Sequence, residues 1–371
     1  MSNLVKTRGG INLAQGIPGF APPVELSTLL QQLSKSEYHQ YAPGNGDLLL
    51  REMLLLNPQY HKVYNHDNLL ITTGATEAIT LVFMYLKNKI AENFGVLAFD
   101  PVYESYKNLP SFFGLQFYSF YQDKNGATDF KMLEQYIVKQ NIKLVIICSP
   151  GNPLGKIWAK PELAKLLALC SKYAVNLIID AVYSDLYFHN PPQYPMEPES
   201  ESLFYVNSFS KKFSITGWRI GYLLCSKSNM VAIRHIHDYT GLSCPNLLQH
   251  AIGLYLQENN FGSSYCAGLR EDIKTAFIYL HQKLTNLGFK IPLIDGGYFI
   301  WAQLPENFTN GFEFALQLYE NKKVAVVPGI HFSEAGNLFV RFNIARPMYE
   351  IEKACMELES FCNDYRDSSS L

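Results

Sequence analysis

A short polar segment inside a hydrophobic stretch carries the residue types best suited to chemistry in this sequence. Ser208 comes three residues before Lys211, and Arg219 follows eight residues after that lysine. A hydroxyl and a guanidinium can bind the same anionic group, which leaves the lysine amine available for covalent chemistry. The neighbouring Lys212 has Phe209 three residues before it, and a phenyl ring offers nothing to an anion. The spacing therefore favours Lys211 as the reactive amine, and the alternative is a solvated lysine pair on a surface loop.

Asp180 and Tyr183 suit the cofactor that this segment predicts. An amine that can react with an aldehyde, next to groups that can bind phosphate, is what pyridoxal phosphate requires of a protein. Asp180 ends the hydrophobic run 177–179, where a carboxylate is costly unless a cation pairs with it. The protonated pyridine nitrogen would be that cation, and Tyr183 could donate a hydrogen bond to the phenolic oxygen of the ring. The alternative for Asp180 is the N-cap of a helix that follows the strand.

Three more segments that follow predicted strands could contribute to the same site. Asn152 lies in a loop rich in Gly and Pro and could donate its amide to the phenolic oxygen, although such residues also dominate ordinary turns. Gly74, Ala75 and Thr76 begin a predicted helix whose N–H groups and threonine hydroxyl could bind phosphate, and the alternative is a plain capped helix start. Tyr103 could stack on a planar cofactor, but the chain has 24 tyrosines, so the pattern alone singles out none of them.

Arg341 lies inside the hydrophobic run 338–345, which predicts a buried strand. A buried arginine is costly unless it is paired. The carboxylate of a substrate could bind it through two parallel hydrogen bonds. The alternative is an internal ion pair with an aspartate or a glutamate.

The composition indicates a globular protein of more than one domain. The chain has 371 residues, of which 48% are hydrophobic and 17% charged, and its net charge is −2. This charge gives no reason to expect a nucleic acid or an acidic membrane as a partner. The seven cysteines are odd in number and none are spaced as C-x-x-C, which favours buried thiols in a reducing compartment. With no signal-like segment and no stretch long enough to span a bilayer, we expect a cytoplasmic protein.

Strands and helices alternate along the middle of the sequence, which predicts a largely parallel sheet covered by helices on both faces. Polar clusters follow the predicted strands, and open sheets of this kind bind ligands at that edge. The C-terminal third combines helices with short strands, which predicts a smaller α+β domain. The predicted strands are 69–72, 96–99, 144–148, 176–179, 204–206, 298–302 and 338–343, and the predicted helices are 75–87, 161–173, 239–257, 265–287 and 348–363.

The same pattern divides the chain into domains. We predict an N-terminal arm with part of the small domain over 1–45, a large cofactor-binding domain over 46–260 and a C-terminal small domain over 261–371. Residues up to about Gly10 are polar and are expected to be loose. Residues 15–45 are expected to pack with or across the small domain.

Taken together and in this order, the segments resemble the class I and II pyridoxal-phosphate-dependent aminotransferases of the aspartate aminotransferase fold type. The resemblance extends from the segment 12–18 to Arg341, and the segment 208–222 is its most specific part. It implies an α/β fold with a large domain built on a mostly parallel sheet, a smaller α+β domain, and a homodimer with shared active sites. It also implies transamination between an amino acid and a 2-oxo acid, with pyridoxal 5'-phosphate as the cofactor.

The resemblance implies a role for each candidate residue. By this resemblance Lys211 forms the Schiff base with the cofactor and later moves the proton, Asp180 binds the pyridine nitrogen, and Arg341 binds the substrate α-carboxylate. Tyr41 matches a tyrosine that reaches the phosphate of the neighbouring subunit. The other implied roles are Tyr183 and Asn152 at the phenolic oxygen, Tyr103 on the ring face, Gly74, Ala75, Thr76, Ser208 and Arg219 at the phosphate, and Gly16, Ile17 and Asn152 in the substrate pocket.

Two departures from the family pattern bear on the reaction. Ala181 stands where the family often has Glu after the ring-nitrogen Asp, and this change does not disable the chemistry. Ala75 stands where bacterial relatives specialised for aspartate often carry Lys, which disfavours aspartate as the main amino donor. Neutral or aromatic amino acids suit the apolar and aromatic walls predicted from Ile17, Tyr103, Tyr298 and Phe299. An N-acylated diamino acid, such as succinylated diaminopimelate, also remains open.

Other functions fit the sequence less well. A carbon–sulfur β-lyase of the same fold is the main alternative, since 343–347 and 184–186 have features of that group, but the sequence Gly-Trp-Arg-Ile-Gly-Tyr at 217–222 favours transamination. A DNA-binding regulator would need a further domain or a basic patch, and a dinucleotide enzyme would need G-x-G-x-x-G after a strand. His235 and His237 are the one close histidine pair and are predicted on a helix face with Arg234, so no metal is expected.

Overall fold

The computed structural model describes residues 2–122, 126–292 and 294–368. In chain order, the strands are β1 (Ile11–Asn12), β2 (Leu69–Thr72), β3 (Gly95–Asp100), β4 (Gln116–Tyr121), β5 (Ile142–Cys148), β6 (Asn176–Asp180), β7 (Leu203–Ser208), β8 (Gly221–Leu224), β9 (Phe299–Gln303), β10 (Val324–Ala325), β11 (Val327–Pro328) and β12 (Phe339–Asn343). The helices are α1 (Ser2–Arg8), α2 (Val24–Leu33), α3 (Leu48–Leu56), α4 (Gly74–Lys89), α5 (Glu104–Phe112), α6 (Phe130–Lys139), α7 (Lys160–Lys172), α8 (Phe209–Lys212), α9 (Lys227–Thr240), α10 (Asn246–Glu258), α11 (Ser263–Asn286), α12 (Gly311–Lys322) and α13 (Met348–Ser368).

In the described chain, a sheet of seven strands has the order β2-β8-β7-β6-β5-β3-β4. Strands β4, β3, β5, β6 and β7 are parallel, and β8 is antiparallel to both of its neighbours. The prediction of a mostly parallel sheet is therefore confirmed. The carboxyl ends of β5, β6 and β7, at Cys148, Asp180 and Ser208, lie at one edge of the sheet.

Helices cover both faces of this sheet, as the hydrophobic strands predict. Because side chains alternate along a strand, neighbouring residues meet different helical layers. Ile146 and Ile178 pack with residues of α4, α5 and α9 on one face. Val145 and Leu177 pack with residues of α6, α7 and α10 on the other. The strands of the large sheet are therefore buried between two helical layers.

The C-terminal part of the described chain forms a smaller sheet with its own hydrophobic core. Strands β11, β12 and β9 are antiparallel neighbours, and α11, α12 and α13 pack Leu284, Phe314 and Phe361 in one cluster with Phe342. β1 reaches this part of the chain by pairing in parallel with β10. The domain boundaries near residues 45 and 260 stay a prediction.

The early residues divide between the two sheets. The expectation that they pack with the C-terminal part is confirmed at Gly19, whose N–H donates to the carbonyl of Ala345 at 2.7 Å. It is wrong for α2, which packs on α10 and buries Leu26 in the core of the large sheet. The apolar face of a short amphipathic helix does not specify which hydrophobic layer covers it, so the sequence could not decide between the two.

Two predictions about local structure are wrong. Residues 2–8 were expected to be loose but form the helix α1, and the hydroxyl of Tyr319 lies 2.9 Å from the carbonyl of Leu4 in that helix. The single helix predicted over 239–257 is two helices, because Gly241 follows the end of α9 and Pro245, which has no N–H, directly precedes α10. Among the described helices, none has both the length and the apolar run that crossing a bilayer requires.

Candidate active site

One cavity at the carboxyl edge of the parallel strands contains most of the predicted site residues. Its volume is about 580 Å³, and residues of both the large sheet and the C-terminal sheet line it. The predicted residues on its walls are Gly16, Ile17, Ala75, Thr76, Tyr103, Asn152, Asp180, Tyr183, Ser208, Lys211, Arg219 and Arg341. Gly74 is not a lining residue but packs against Arg219, and Tyr41 does not line the cavity either.

Lys211 lies on a short helix that begins directly after β7, and its amine faces the cavity. Its Nζ donates a hydrogen bond to the carbonyl of Gly16 at 2.8 Å. Burial disfavours the charged ammonium, and the positive charges of Arg219 and Arg341 repel it, so the pKa of Lys211 is lowered to about 8. The amine can therefore lose its proton close to neutral pH, which a nucleophilic lysine requires.

Lys212 has different surroundings. Its side chain is buried, its Nζ lies 3.6 Å from Oδ2 of Asp185, and it stacks over the ring of Phe213 at 4.9 Å from the centroid. This ion pair holds the Lys212 amine outside the cavity. Of the two adjacent lysines, Lys211 is the one that lines the cavity.

The start of α4 and the guanidinium of Arg219 form an anion-binding corner. Gly74 has a φ of +75°, and a Cβ there would lie 2.9 Å from Cζ of Arg219. Glycine therefore allows the guanidinium to approach the helix start. The first N–H groups of a helix lack acceptors within the helix, and those at Ala75 and Thr76 are placed to bind an anion. Arg219 is held in place by donation from Nη1 to the carbonyl of Thr216 at 3.1 Å.

The hydroxyl of Ser208 stabilises the loop that follows Lys211. It lies 2.9 Å from the carbonyl of Ile220 and 2.9 Å from Oγ of Ser210. Ser210 also lines the cavity but is not predicted by the sequence analysis. Its one signal is its position directly before Lys211.

Asp180 is a buried carboxylate that ends β6 inside the cavity. Tyr106 donates to its Oδ2 at 2.5 Å, and the N–H of Val182 donates to its Oδ1 at 3.2 Å. Burial raises the pKa of Asp180, while these hydrogen bonds and the charge of Lys211 act in the opposite direction. The alternative role as a helix N-cap does not apply, because the next element of the described chain after Asp180 is the strand β7 and no helix begins between them. Tyr106 is not predicted by the sequence analysis, although it lies three residues after Tyr103.

The aromatic residues around the cavity divide into lining and supporting groups. Tyr103 and Tyr183 line the cavity. Tyr298 and Phe299, which we predicted as pocket walls, are fully buried and do not line it. They contact Tyr183 edge to face, with ring centroids 5.2 and 5.9 Å away. They therefore support a lining residue, and that part of the prediction is wrong.

Arg341 is buried on β12 with its guanidinium directed at the cavity. Nη1 donates to Oδ1 of Asn152 and Nη2 to the carbonyl of Ala14, both at 2.8 Å, and Cζ lies 4.1 Å from the ring centroid of Phe299. Nε has no hydrogen-bond partner, and no aspartate or glutamate of the described residues forms an ion pair with Arg341. The internal ion pair is thereby excluded within the described chain, and the group fits an incoming carboxylate.

The loop 14–17 brings the start of the chain to the cavity. Nδ2 of Asn343 donates to the carbonyls of Gln15 at 2.6 Å and Ile17 at 2.8 Å, and Tyr298 donates to the carbonyl of Gly16 at 3.0 Å. A Cβ at Gly16 would lie 3.2 Å from the ring of Phe299 and 3.8 Å from Nη2 of Arg341. Glycine at this position therefore keeps the approach to the guanidinium open.

Tyr41 is 82% exposed, so it takes no part in the cavity of its own chain. The role implied for it, contact with the phosphate of a neighbouring subunit, would require a second chain. That role stays a prediction.

Comparisons with known proteins agree with this geometry. A family model described as aminotransferase class I and II matches residues 8–358. The chain is 30% identical over 356 residues to a probable aspartate aminotransferase of Methanocaldococcus jannaschii, which covers 93% of this chain and 91% of the relative. It is 27% identical over 371 residues to a probable N-acetyl-LL-diaminopimelate aminotransferase of Bacillus subtilis, with 99% and 93% covered.

The comparison with solved structures points to the same family. The solved structure of N-succinyldiaminopimelate aminotransferase from Mycobacterium tuberculosis matches with a TM-score of 0.88 and 26% identity, over 96% of this chain and 95% of that one. The family model spans nearly the whole chain, including every residue that lines the cavity. The chain therefore belongs to the class I and II aminotransferases, which are pyridoxal-phosphate-dependent enzymes.

Proposed function

We propose that this chain moves the amino group of a neutral, aromatic or N-acylated L-amino acid to a 2-oxo acid such as 2-oxoglutarate, with pyridoxal 5'-phosphate bound through Lys211. The observation that carries the proposal is Arg341, a buried arginine that lines the same cavity as the Lys211 amine and whose Nε has no hydrogen-bond partner in the described chain. An α-amino acid has the matching pair of groups, because its carboxylate can bind the arginine while its amine lies toward the lysine.

The residues of the cavity fit the cofactor. Arg219 and the start of α4 would hold its phosphate, and the buried carboxylate of Asp180 would pair with its pyridine nitrogen, which supplies the cation that a buried carboxylate needs. Tyr183 and Asn152 would bind the phenolic oxygen, and Tyr103 would stack on the ring. When bound, pyridoxal phosphate supplies an electron sink for charge that develops at the substrate Cα.

The chain itself supplies binding, orientation and one proton carrier. Arg341 and Asn152 orient the substrate carboxylate, which places the Cα hydrogen near Lys211. The lowered pKa of Lys211, about 8, suits an amine that accepts this proton at Nζ and then returns it. Gly16 supplies a carbonyl that keeps the amine directed into the cavity.

The charges around the cavity support a substrate without an acidic side chain. Among the described residues that line the cavity, the lysine and arginine side chains are those of Lys211, Arg219 and Arg341. Each of them already has a proposed partner in the cofactor or in the substrate carboxylate. Ala75 provides no cation, and Glu104 adds a negative charge to the wall. Ile17, Leu109 and Phe332 supply apolar contacts for a neutral or aromatic side chain.

The proposal includes a homodimer in which Tyr41 of one chain contacts the phosphate held by the other. Two observations support this arrangement: Tyr41 is exposed, and it is not among the residues that line the cavity of its own chain.

A half-reaction screen tests the proposal. The purified protein with bound cofactor is mixed with one amino acid at a time, and the absorbance of the lysine-bound cofactor is followed. We expect neutral and aromatic amino acids to remove this absorbance quickly and aspartate to do so slowly, and 2-oxoglutarate to restore it. If no amino acid changes the spectrum, the aminotransferase proposal fails. Pyruvate released from cysteine or cystathionine, without conversion of the cofactor, would indicate the β-lyase instead.

The lysine assignment has its own control. Borohydride reduction followed by peptide mass spectrometry should place the cofactor on Lys211 in the wild type and in Lys212→Arg, which keeps a cation beside Asp185. Lys211→Ala should lose transamination by ~10²–10⁴-fold. Cofactor found on Lys212 of the wild type would overturn the assignment.

A further inference from the structure

Outside the cavity, Glu77, His237 and Cys244 form a compact group of metal-binding side chains. Glu77 lies in the first turn of α4, His237 near the end of α9, and Cys244 in the loop between α9 and α10. One ligand atom from each residue lies within 4.8 Å of the other two. His237 and Cys244 lie close together in the sequence, whereas Glu77 comes from a distant part of it, so the three residues form no local metal-binding motif.

The imidazole of His237 lacks a hydrogen-bond partner. The side chain is 1% exposed, and neither Nδ1 nor Nε2 forms a hydrogen bond with any residue in the described part of the chain. The nearest charged atom is Oε2 of Glu77, 3.8 Å from Nε2, which is too long for a hydrogen bond. Buried polar groups normally have partners, so an ion placed among these side chains would account for a histidine that the protein otherwise leaves unsatisfied.

The surroundings hold the three side chains in place. Oε2 of Glu77 accepts the N–H of Thr73, and Sγ of Cys244 lies 3.6 Å from Oγ1 of Thr73. A Cβ at Gly241 would overlap the carboxylate of Glu77 and lie 3.1 Å from Nε2 of His237. Glycine at 241 therefore leaves room for the carboxylate and the imidazole to face each other.

The ligand types and spacing suit zinc. With Zn–S near 2.3 Å and Zn–N near 2.0 Å, two tetrahedral ligand atoms lie roughly 3.5 Å apart. The three ligand atoms lie within 4.8 Å of one another, so the side chains would have to move by roughly an ångström to coordinate an ion. A thiolate and an imidazole with one carboxylate favour zinc over magnesium or calcium, which prefer oxygen ligands alone.

We propose that Glu77, His237 and Cys244 bind one zinc ion, with water in the fourth position. Burial raises the pKa of the Cys244 thiol to about 12, so zinc binding must displace one proton from Sγ to solvent. The ion would join the start of α4, next to Gly74, Ala75 and Thr76, to the loop between α9 and α10. None of the three ligands lines the cavity that holds Lys211, so the ion would take no part in the proposed transamination.

Metal content tests this site directly. The protein with bound cofactor is stripped with a chelator, incubated with Zn²⁺ or Co²⁺ and dialysed, and metal per chain is measured. We expect one equivalent of either ion, and visible cobalt bands of a tetrahedral site at wavelengths where the cofactor does not absorb. Cys244→Ser and His237→Gln should each weaken metal binding at least tenfold. The matched controls are Cys170→Ser, a buried cysteine on α7, and His235→Gln on the same helix as His237, which should both keep the metal.

A second measurement needs no variant. Alkylation of Cys244 in the wild type, followed by peptide mass spectrometry, should slow at least tenfold when zinc is added, while alkylation of the buried Cys266 stays the same. Metal below half an equivalent, or a cobalt spectrum that Cys244→Ser leaves unchanged, would overturn the proposal. Equal alkylation of Cys244 with and without zinc would overturn it as well.

Discussion

Lys211 and Lys212 are neighbours in sequence but have opposite environments. Lys211 lines a cavity together with Arg219 and Arg341, and within the described chain its amine donates to the carbonyl of Gly16. Lys212 has a carboxylate partner and two aromatic rings. A carboxylate stabilises an ammonium, whereas burial and nearby positive charges destabilise it. The surroundings of each amine therefore decide which one can become a nucleophile.

This environment leads to a pH prediction for cofactor capture. The pKa of Lys211 is lowered from 10.5 to about 8, chiefly by burial, and only the neutral amine reacts with an aldehyde. The rate at which cofactor-free protein takes up pyridoxal phosphate should rise with pH to about 8 and then level off, as followed by absorbance. Arg341→Gln removes a repelling cation, so it should raise the pKa and move the plateau to higher pH. A wild-type rate that still climbs above about pH 9 would contradict the prediction.

The hydrogen bond from Tyr106 to Asp180 should also matter for catalysis. Losing a hydrogen bond to a charged group costs about 1.5–3 kcal/mol, which corresponds to roughly 10- to 100-fold. Burial already raises the pKa of Asp180, and Tyr106→Phe should raise it further because it removes a hydrogen bond to the charged form. The ionised carboxylate that would pair with the pyridine nitrogen is then lost at a higher pH than in the wild type. We expect kcat to fall at least tenfold, with the larger loss at acidic pH. Tyr103→Phe is the control, and an equal loss at all pH values would argue for a purely structural effect.

At the scale of elements, the start of α4 depends on glycine. Ala at Gly74 would require a positive φ and would crowd Arg219, and a left-handed residue costs about 1–2 kcal/mol. Gly74→Ala should weaken cofactor binding at least tenfold and lower the free energy of unfolding. Gly268→Ala on α11 is the matched control, because its Cβ would meet nothing within 4 Å, and helix propensity should stabilise it slightly. Cofactor titration and urea unfolding measure both effects, and equal behaviour of the two variants would refute this account.

The sequence predicted the interior elements better than the edges. Strands β5 and β6 are continuous hydrophobic runs, so their type was clear, whereas β4 is an edge strand that mixes polar and aromatic residues. Strand β8 begins inside the segment 208–222, whose polar residues predict a cofactor site rather than a strand. In the site, Asp180 and Arg341 stood out because charge is unusual in a hydrophobic strand. Tyr106 and Asn343 act through contacts with residues far away in sequence, and such contacts leave no local pattern.

At the scale of the whole molecule, Tyr41 offers a test of shared active sites. Tyr41→Phe should weaken cofactor binding about tenfold by removing one hydrogen bond to the phosphate, and Lys211→Ala should be inactive. In a mixed dimer, one site would combine both changes and the other would have neither. The two variants are mixed, dissociated and reassembled. About half of the sites in the mixed dimers should then bind the cofactor with wild-type affinity. No recovery of activity at low cofactor concentration would show that each chain supplies its whole site.

The pairing of Ala14 and Arg341 has a consequence for how the protein is made. These two residues are joined by a hydrogen bond of 2.8 Å although 327 positions separate them, and β1 likewise pairs with β10. A nascent chain can therefore form most of the large sheet before Arg341, the residue proposed to bind the substrate carboxylate, has left the ribosome. Contacts this far apart in sequence form slowly. We expect helical circular dichroism to recover before cofactor absorbance during refolding, and simultaneous recovery would show that the early segment finds β12 without delay.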